Sequence, residues 1–308
     1  MLVKKGLIFN VDGSRPWAKT HAQIPSPDVL DDGRIRIYYA TRDDQNRSLT
    51  SFIEVSADDP KKILYEHDRP ILDFGELGCF DDCGVMPSCV VNYDGKKYLY
   101  YCGWNTSTTV RYRNCIGLAI SEDNGVTFRR AFKGPVLDRT KDELHLVVTP
   151  HVIIEDSVWK MWYCGGTEWR VVNGITEPQY LLKYAESRNG IDWERPNRVV
   201  IPYKHELEAI GRPVVVHENG LYKMWYSYRN IDNYRVDREK GYHIGYAESP
   251  DNIDWERKDE LVGIDLSDDG WDSQMMAYPY VVDYRDRRYL FYNGNGFGRS
   301  GFGYALFD

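Results

Sequence analysis

Five residues of unlike chemistry stand at one shared offset in this chain, each five positions ahead of a proline. They are Thr20, Asp82, His145, Glu208 and Gln274, before Pro25, Pro87, Pro150, Pro213 and Pro279. Acid, imidazole, acid and amide at equivalent points of a repeat suit general acid–base chemistry, provided that the fold gathers them on one rim. Glu208, between Leu207 and Ala209, has an apolar setting suited to a proton donor. Asp82, beside Asp81, suits an ionised base or nucleophile, and Asp272 an orienting carboxylate. The competing expectation for each acid is a solvated loop carboxylate. Binding groups are expected in the same lead-in segments and just after the aromatic strands: His21, Gln23, Arg42, Trp104, His145, Glu168, Arg212, Arg229 and Gln274. Arginine forks and aromatic faces suit a polyol, and His145 with Arg212 suits an anionic group on it.

The elements that must position these residues are repeats. Trp159-Lys160-Met161-Trp162-Tyr163 returns as Tyr222-Lys223-Met224-Trp225-Tyr226. With Trp162 as phase marker, the counterparts are Tyr38, Tyr100, Trp225 and Phe291, at steps of 62, 62, 63 and 66 residues. Each copy alternates polar and aromatic residues, the pattern of a half-buried strand. Self-similarity at this period, with short strands and Asp-Gly or Asn-Gly turns, predicts an all-β, five-bladed propeller over residues 1–308 as a single domain. The last repeat lacks a fourth strand, and Val3 to Asn10 is a strand without a blade. The N-terminal strand is therefore expected to pair with the last blade and close the ring. In each blade the first strand is expected to begin at the proline. Residues repeated in every blade are expected to be scaffold, whereas a single site needs residues that differ between blades.

Composition sets outer bounds. The net charge is −8, from 47 acidic and 39 basic residues, which argues against nucleic acid as the main partner. No signal peptide and no membrane-spanning run is visible, so a cytoplasmic protein without a membrane partner is expected. Six cysteines at positions 79, 83, 89, 102, 115 and 164 then read as reduced thiols, most of them buried. No cofactor and no metal is expected, since Cys79 and Cys83 lack partners at zinc-ligand spacing.

Tyr-Lys-Met-Trp-Tyr followed by Ile244-Gly245-Tyr246-Ala247-Glu248-Ser249 and Ile253-Asp254-Trp255-Glu256-Arg257 resembles the five-bladed glycosidase propellers of glycoside hydrolase families 43 and 32 and the related family 130 mannoside phosphorylases. The resemblance spans nearly the whole chain and implies cleavage of a glycosidic bond by two carboxylates. The hydrolases share an early inner-strand Asp-Pro, where this chain has Ile24-Pro25, Met86-Pro87 and Thr149-Pro150. Glu208 is the nearest match to their acid, with Asp82 or Asp272 in the other role. Three readings follow: a hydrolase of a small saccharide or glycoconjugate, a phosphorylase or transferase, and a catalytically silent glycan-binding propeller. His67, His217 and His243 fall away from the expected mouth.

Overall fold

The computed structural model describes residues 2–308, arranged as five antiparallel sheets. The first blade holds β2 (Thr20–Val29), β3 (Arg34–Arg42), β4 (Thr50–Ser56) and β5 (Ile63–Glu66). The second holds β6 (Gly84–Tyr93), β7 (Lys96–Thr106), β8 (Tyr112–Ser121) and β9 (Arg129–Arg130). The third has β10 (Val147–Glu155), β11 (Val158–Val172) and β12 (Ile175–Ser187), its outer edge reduced to single bridges at Glu194 and Val199. The fourth holds β13 (Glu208–Glu218), β14 (Leu221–Asn230), β15 (His243–Ser249) and β16 (Glu256–Arg257). The fifth combines β17 (Ala277–Tyr284), β18 (Arg287–Asn293) and β19 (Phe302–Phe307) with β1 (Leu2–Phe9). Leu2 pairs with Phe307 and Phe9 with Phe302, so the N-terminal strand closes the ring as the missing fourth strand requires.

Aromatic residues of the second strands fill the spaces between sheets. Tyr38, Tyr100, Trp162 and Phe291 are wholly buried. Three of these markers also bond the next blade: the Tyr38 hydroxyl donates to the Gly125 carbonyl (2.8 Å), Tyr100 to that of Gly190 (2.7 Å), and the Trp162 indole to Asn252 Oδ1 (3.0 Å). The acceptors lie in the polar turns after each third strand, which explains why turn and aromatic recur together. All six cysteines are free, and four are buried. Among the described residues no helix is long and apolar enough to cross a membrane.

The strand starts differ from expectation. β2 and β13 begin five residues ahead of the proline, at Thr20 and Glu208, and the other first strands begin two or three ahead. Each first strand instead carries a bulge at the proline, where the pairing register shifts: between Gln23 and Ser26, Pro87 and Cys89, Val148 and His151, Gly211 and Val214, and Ala277 and Tyr280. Ile24, Thr149, Arg212 and Tyr278, each just before the proline, have φ of 54°, 49°, 55° and 56°. Such values are strained for bulky side chains and persist where a ladder on both sides holds them. A bulge re-aims the side chain that it carries, and here the aim is toward the axis.

Candidate functional site

The bulges build the floor of a cavity on the propeller axis with a volume of about 600 Å³. All five residues preceding the blade prolines line it: Ile24, Met86, Thr149, Arg212 and Tyr278. None is an acid. Alternation along the strand then puts His21, Gln23, Leu146, Val148 and Gly211, at two and four residues before the prolines, on the same wall. From the ends of the second strands come Arg42, Trp104 and Arg229. Trp104 can lie there because Gly84 has no side chain; a Cβ at that position would stand 1.7 Å from the indole nitrogen.

The rest of the wall comes from the connections between second and third strands: Arg111 and Tyr112, Tyr234 and Arg235, and Phe297 and Arg299. Tyr180 and Tyr242 lie below them, joined hydroxyl to hydroxyl. Six arginines and seven aromatic residues thus surround the cavity, and no Asp or Glu is among its lining residues.

The arginines differ in what neutralises them. Arg111 and Arg235 share Glu177, at 3.3 and 3.2 Å, which also accepts from the Tyr234 hydroxyl at 2.7 Å. Arg229 is 3% exposed and donates to Tyr180, Tyr242 and the carbonyls of Asn230 and Pro178, with its guanidinium 3.8 Å from the Tyr234 ring centre. Arg42 donates to Gln23 Oε1 and the Asn46 carbonyl and lies over Trp104. Arg212 is 1% exposed and crosses the axis to Ser88, Ser26 and the Pro25 carbonyl, while its Nε has no acceptor. None of these three has a carboxylate partner among the described residues. Burial holds Arg42 and Arg212 below the usual guanidinium pKa. His21 is pushed down to about 4 by burial and by the charges of Arg42 and Arg299, so it is neutral at pH 7.

Of the residues singled out in the sequence, His21, Gln23, Arg42, Trp104, Arg212 and Arg229 meet at this cavity. The expected acids do not. Glu208 is buried but turned outward, gripped by Arg257 through both carboxylate oxygens (2.7 and 2.9 Å) and by the Lys204 backbone N–H. Asp272 accepts from Lys4 and from the Tyr292 hydroxyl, each at 2.9 Å. Asp82 accepts from the Gly78 backbone N–H in a loop. His145 and Gln274, at the same offset, also lie off the cavity wall, and Glu168 is paired with Arg170 on the rim. The reason is parity. Five residues before the proline, Glu208 points from its strand to the outer strand of its own blade, Asp82, His145 and Gln274 precede their first strands, and the axis is reached from even offsets and from the bulge. The tyrosines, Phe297, Arg111, Arg235 and Arg299 were not foreseen; the length of the second-to-third-strand connections was the available signal for Arg111, Tyr112, Tyr234 and Arg235. Among the described residues no cluster of His, Cys, Asp and Glu could hold a metal ion.

The outward acids form a repeated arrangement. Asp81 accepts from Tyr101 and Arg130, each at 2.8 Å, and Glu143 from Tyr163 (2.7 Å) and Arg195 (2.8 Å). Asp272 does so from Tyr292 and Lys4, and Glu208 binds Arg257 beside Tyr226. In the first blade the polarity reverses, with Arg15 in the lead-in and Glu66 on the outer strand at 3.0 Å. Each latch ties a lead-in to the outer strand of its own blade.

The fold is a five-bladed β-propeller with an axial cavity, and solved glycoside hydrolases share that fold. A family 43 glycoside hydrolase superposes with a TM-score of 0.68 at 18% identity, over 93% of this chain and 88% of that one. A Bombyx mori family 32 β-fructofuranosidase gives 0.62 at 16%, over 95% of this chain and 62% of that one. In sequence, the Mycobacterium tuberculosis protein named "Uncharacterized protein Rv1502" is 37% identical over 99% of this chain and 98% of its own length, and the chain belongs to its family. A 1,2-β-oligomannan phosphorylase of Thermoanaerobacter sp. is 24% identical over 53% of this chain and 59% of its own. No family model matches.

Proposed function

We propose that the chain is a carbohydrate-active protein that takes a small saccharide or glycoconjugate into the axial cavity. The observation that carries this reading is the wall itself: seven aromatic residues interleaved with arginine forks and amides around about 600 Å³, on a scaffold shared with glycoside hydrolases. Rings stack on the C–H faces of a sugar, and a few placed polar groups orient its hydroxyls. His21, Gln23, Arg42, Trp104, Arg212 and Arg229 are the proposed binding residues.

Hydrolysis by an Asp82–Glu208 pair has no support in the geometry, because both side chains are engaged away from the wall. Phosphorolysis or glycosyl transfer is the second reading, favoured by the arginines and by the partial similarity to the oligomannan phosphorylase. The test is calorimetric titration with a saccharide panel that includes phosphate esters, with product release followed in parallel. Binding is expected to weaken about tenfold or more in Trp104→Leu, the cost of truncating one buried anchor. If no saccharide titrates, or if Trp104→Leu binds as well as wild type, the reading fails. Product release that requires inorganic phosphate would establish the second reading.

A further inference from the structure

We infer that the sugar taken into the axial cavity carries a phosphate ester; this deepens the saccharide reading and rests on it. The observation is an imbalance of charge at one place. The chain as a whole carries −8, yet its cavity is lined by six arginines and by no carboxylate. Behind the wall, Glu177 is shared by Arg111 and Arg235, and Asp43, which reaches Arg42 electrostatically, is paired with Arg47. Arg42, Arg212 and Arg229 have only neutral acceptors, and the exposed Arg299 guanidinium has no partner among the described residues.

Buried guanidinium groups are ordinarily paired with a carboxylate, since an uncompensated charge away from water is costly. Arg36 with Glu54 and Arg257 with Glu208 follow that rule away from the cavity. At the cavity the counter-charge is missing from the protein and is left for a ligand to supply. Arg212 is the sharpest case, being 1% exposed, on the cavity wall and with an Nε–H that donates to nothing.

Several guanidinium forks converge here, which suits an anion with several acceptor oxygens. A phosphate ester offers three such oxygens and close to two charges near neutral pH, and it takes bidentate donation from arginine. A single carboxylate would leave most of the forks unanswered. Tyr112 and Tyr278 lie within electrostatic reach of both Arg42 and Arg229, so the two cationic walls face one shared space. The aromatic residues around that space would take the sugar, and with His21 neutral at pH 7 the phosphate charge falls to the arginines alone. A sugar monophosphate and a nucleotide-linked sugar share this chemistry.

The experiment titrates the intact protein at pH 7.5 with hexoses, hexuronates, inorganic phosphate, pyrophosphate, hexose 1- and 6-phosphates and nucleoside-diphosphate hexoses. At least one phosphorylated sugar is expected to bind ten- to a hundredfold more tightly than its neutral parent, the range of one or two charge-assisted hydrogen bonds. Arg42→Met, at the partly exposed end of the set, should cost the phosphorylated sugar about tenfold more affinity than it costs the neutral sugar, and Arg229→Met should act likewise. Melting temperatures of the variants show that they are folded. A monophosphate preferred over its nucleotide derivative, or the reverse, identifies the source and supports the inference either way. Equal binding of hexose and hexose phosphate overturns it and leaves the saccharide reading intact. Hexuronates binding as tightly as phosphates overturn it in favour of a carboxylate. Inorganic phosphate or pyrophosphate binding as tightly as any sugar phosphate overturns this inference, and the titrations with neutral sugars then decide the saccharide reading separately. Binding of no phosphorylated sugar overturns it as well.

Discussion

Two rings of charge share this propeller and follow opposite rules. In the outer ring every acid has its base: Asp81 with Arg130, Glu143 with Arg195, Glu208 with Arg257, Asp272 with Lys4, and Glu66 with Arg15. On the axis, Arg42, Arg212 and Arg229 stand without acids. The outer ring recurs in all five blades because each blade must fasten its lead-in segment to its own outer strand. The inner ring is irregular, with isoleucine, methionine, threonine, arginine and tyrosine at equivalent pre-proline positions. A scaffold repeats its solutions, while a site breaks the repeat. Here the break is also a break in charge balance.

The largest effect that tests this comparison is expected in the outer ring. Glu208→Gln removes the partner of Arg257, a side chain that is 9% exposed, and leaves its charge less compensated. Breaking a buried pair from one side costs roughly 3–5 kcal/mol, though Asp259, 2.7 Å from Arg257, should moderate the loss. Chemical denaturation should show that loss, with saccharide affinity unchanged in whatever fraction remains folded. A variant as stable as wild type but deficient in binding would return Glu208 to the site and erase the distinction between the rings.

A smaller effect comes from the floor of the axis. His151 is buried, its Nδ1 accepts the Val215 backbone N–H at 3.2 Å, and burial together with Arg212 pushes its pKa down to about 3. In the unfolded chain the value is near 6.5. Between those values the unfolded state holds the extra proton, so stability is complete above pH 6.5 and erodes as pH falls toward 3. The slope for one such group is about 1.4 kcal/mol per pH unit. His21, depressed to about 4, adds to it over the upper part of that window. His151→Asn, which keeps an acceptor for Val215, should flatten the acid limb of a stability–pH profile by about one proton. An unchanged slope would mean that this imidazole is not held neutral by the axis.

How much of this was legible in the sequence follows from the same two rings. The blades, the closing strand and the aromatic layers were readable because they repeat, and Trp162 and Trp225 mark equivalent places whatever else changes. Arg42, Trp104 and Arg229 were readable because they end strands whose phase the repeat fixes. Glu208 misled for a physical reason. It lies on a first strand that was expected to begin later, and a bulge at the proline inverts the parity that a regular strand would keep. Asp82 shared its offset, and like Asp272 it lies in the segment ahead of its blade's first strand, engaged away from the cavity wall. The charge of the cavity was legible only in part: Arg42, Arg212 and Arg229 were read, whereas Arg111, Arg235 and Arg299 come from connections whose course no periodicity sets.

The smallest expected effect is the one that separates the rings most cleanly. Arg42 donates to a glutamine and a backbone carbonyl, and burial already holds its pKa below the usual guanidinium value. Its charge is therefore a burden on the empty fold and not a tie within it. Arg42→Met removes that charge and keeps much of the side-chain length over Trp104, so the lost hydrogen bonds and the relieved desolvation oppose each other. Stability without ligand should stay within about 1 kcal/mol of wild type, well short of the loss in Glu208→Gln. Thermal melts of the two variants, side by side, check the ordering. Were Arg42→Met to destabilise the protein as much as Glu208→Gln does, the axial arginine would be a structural tie like the latches, and the two rings would be one.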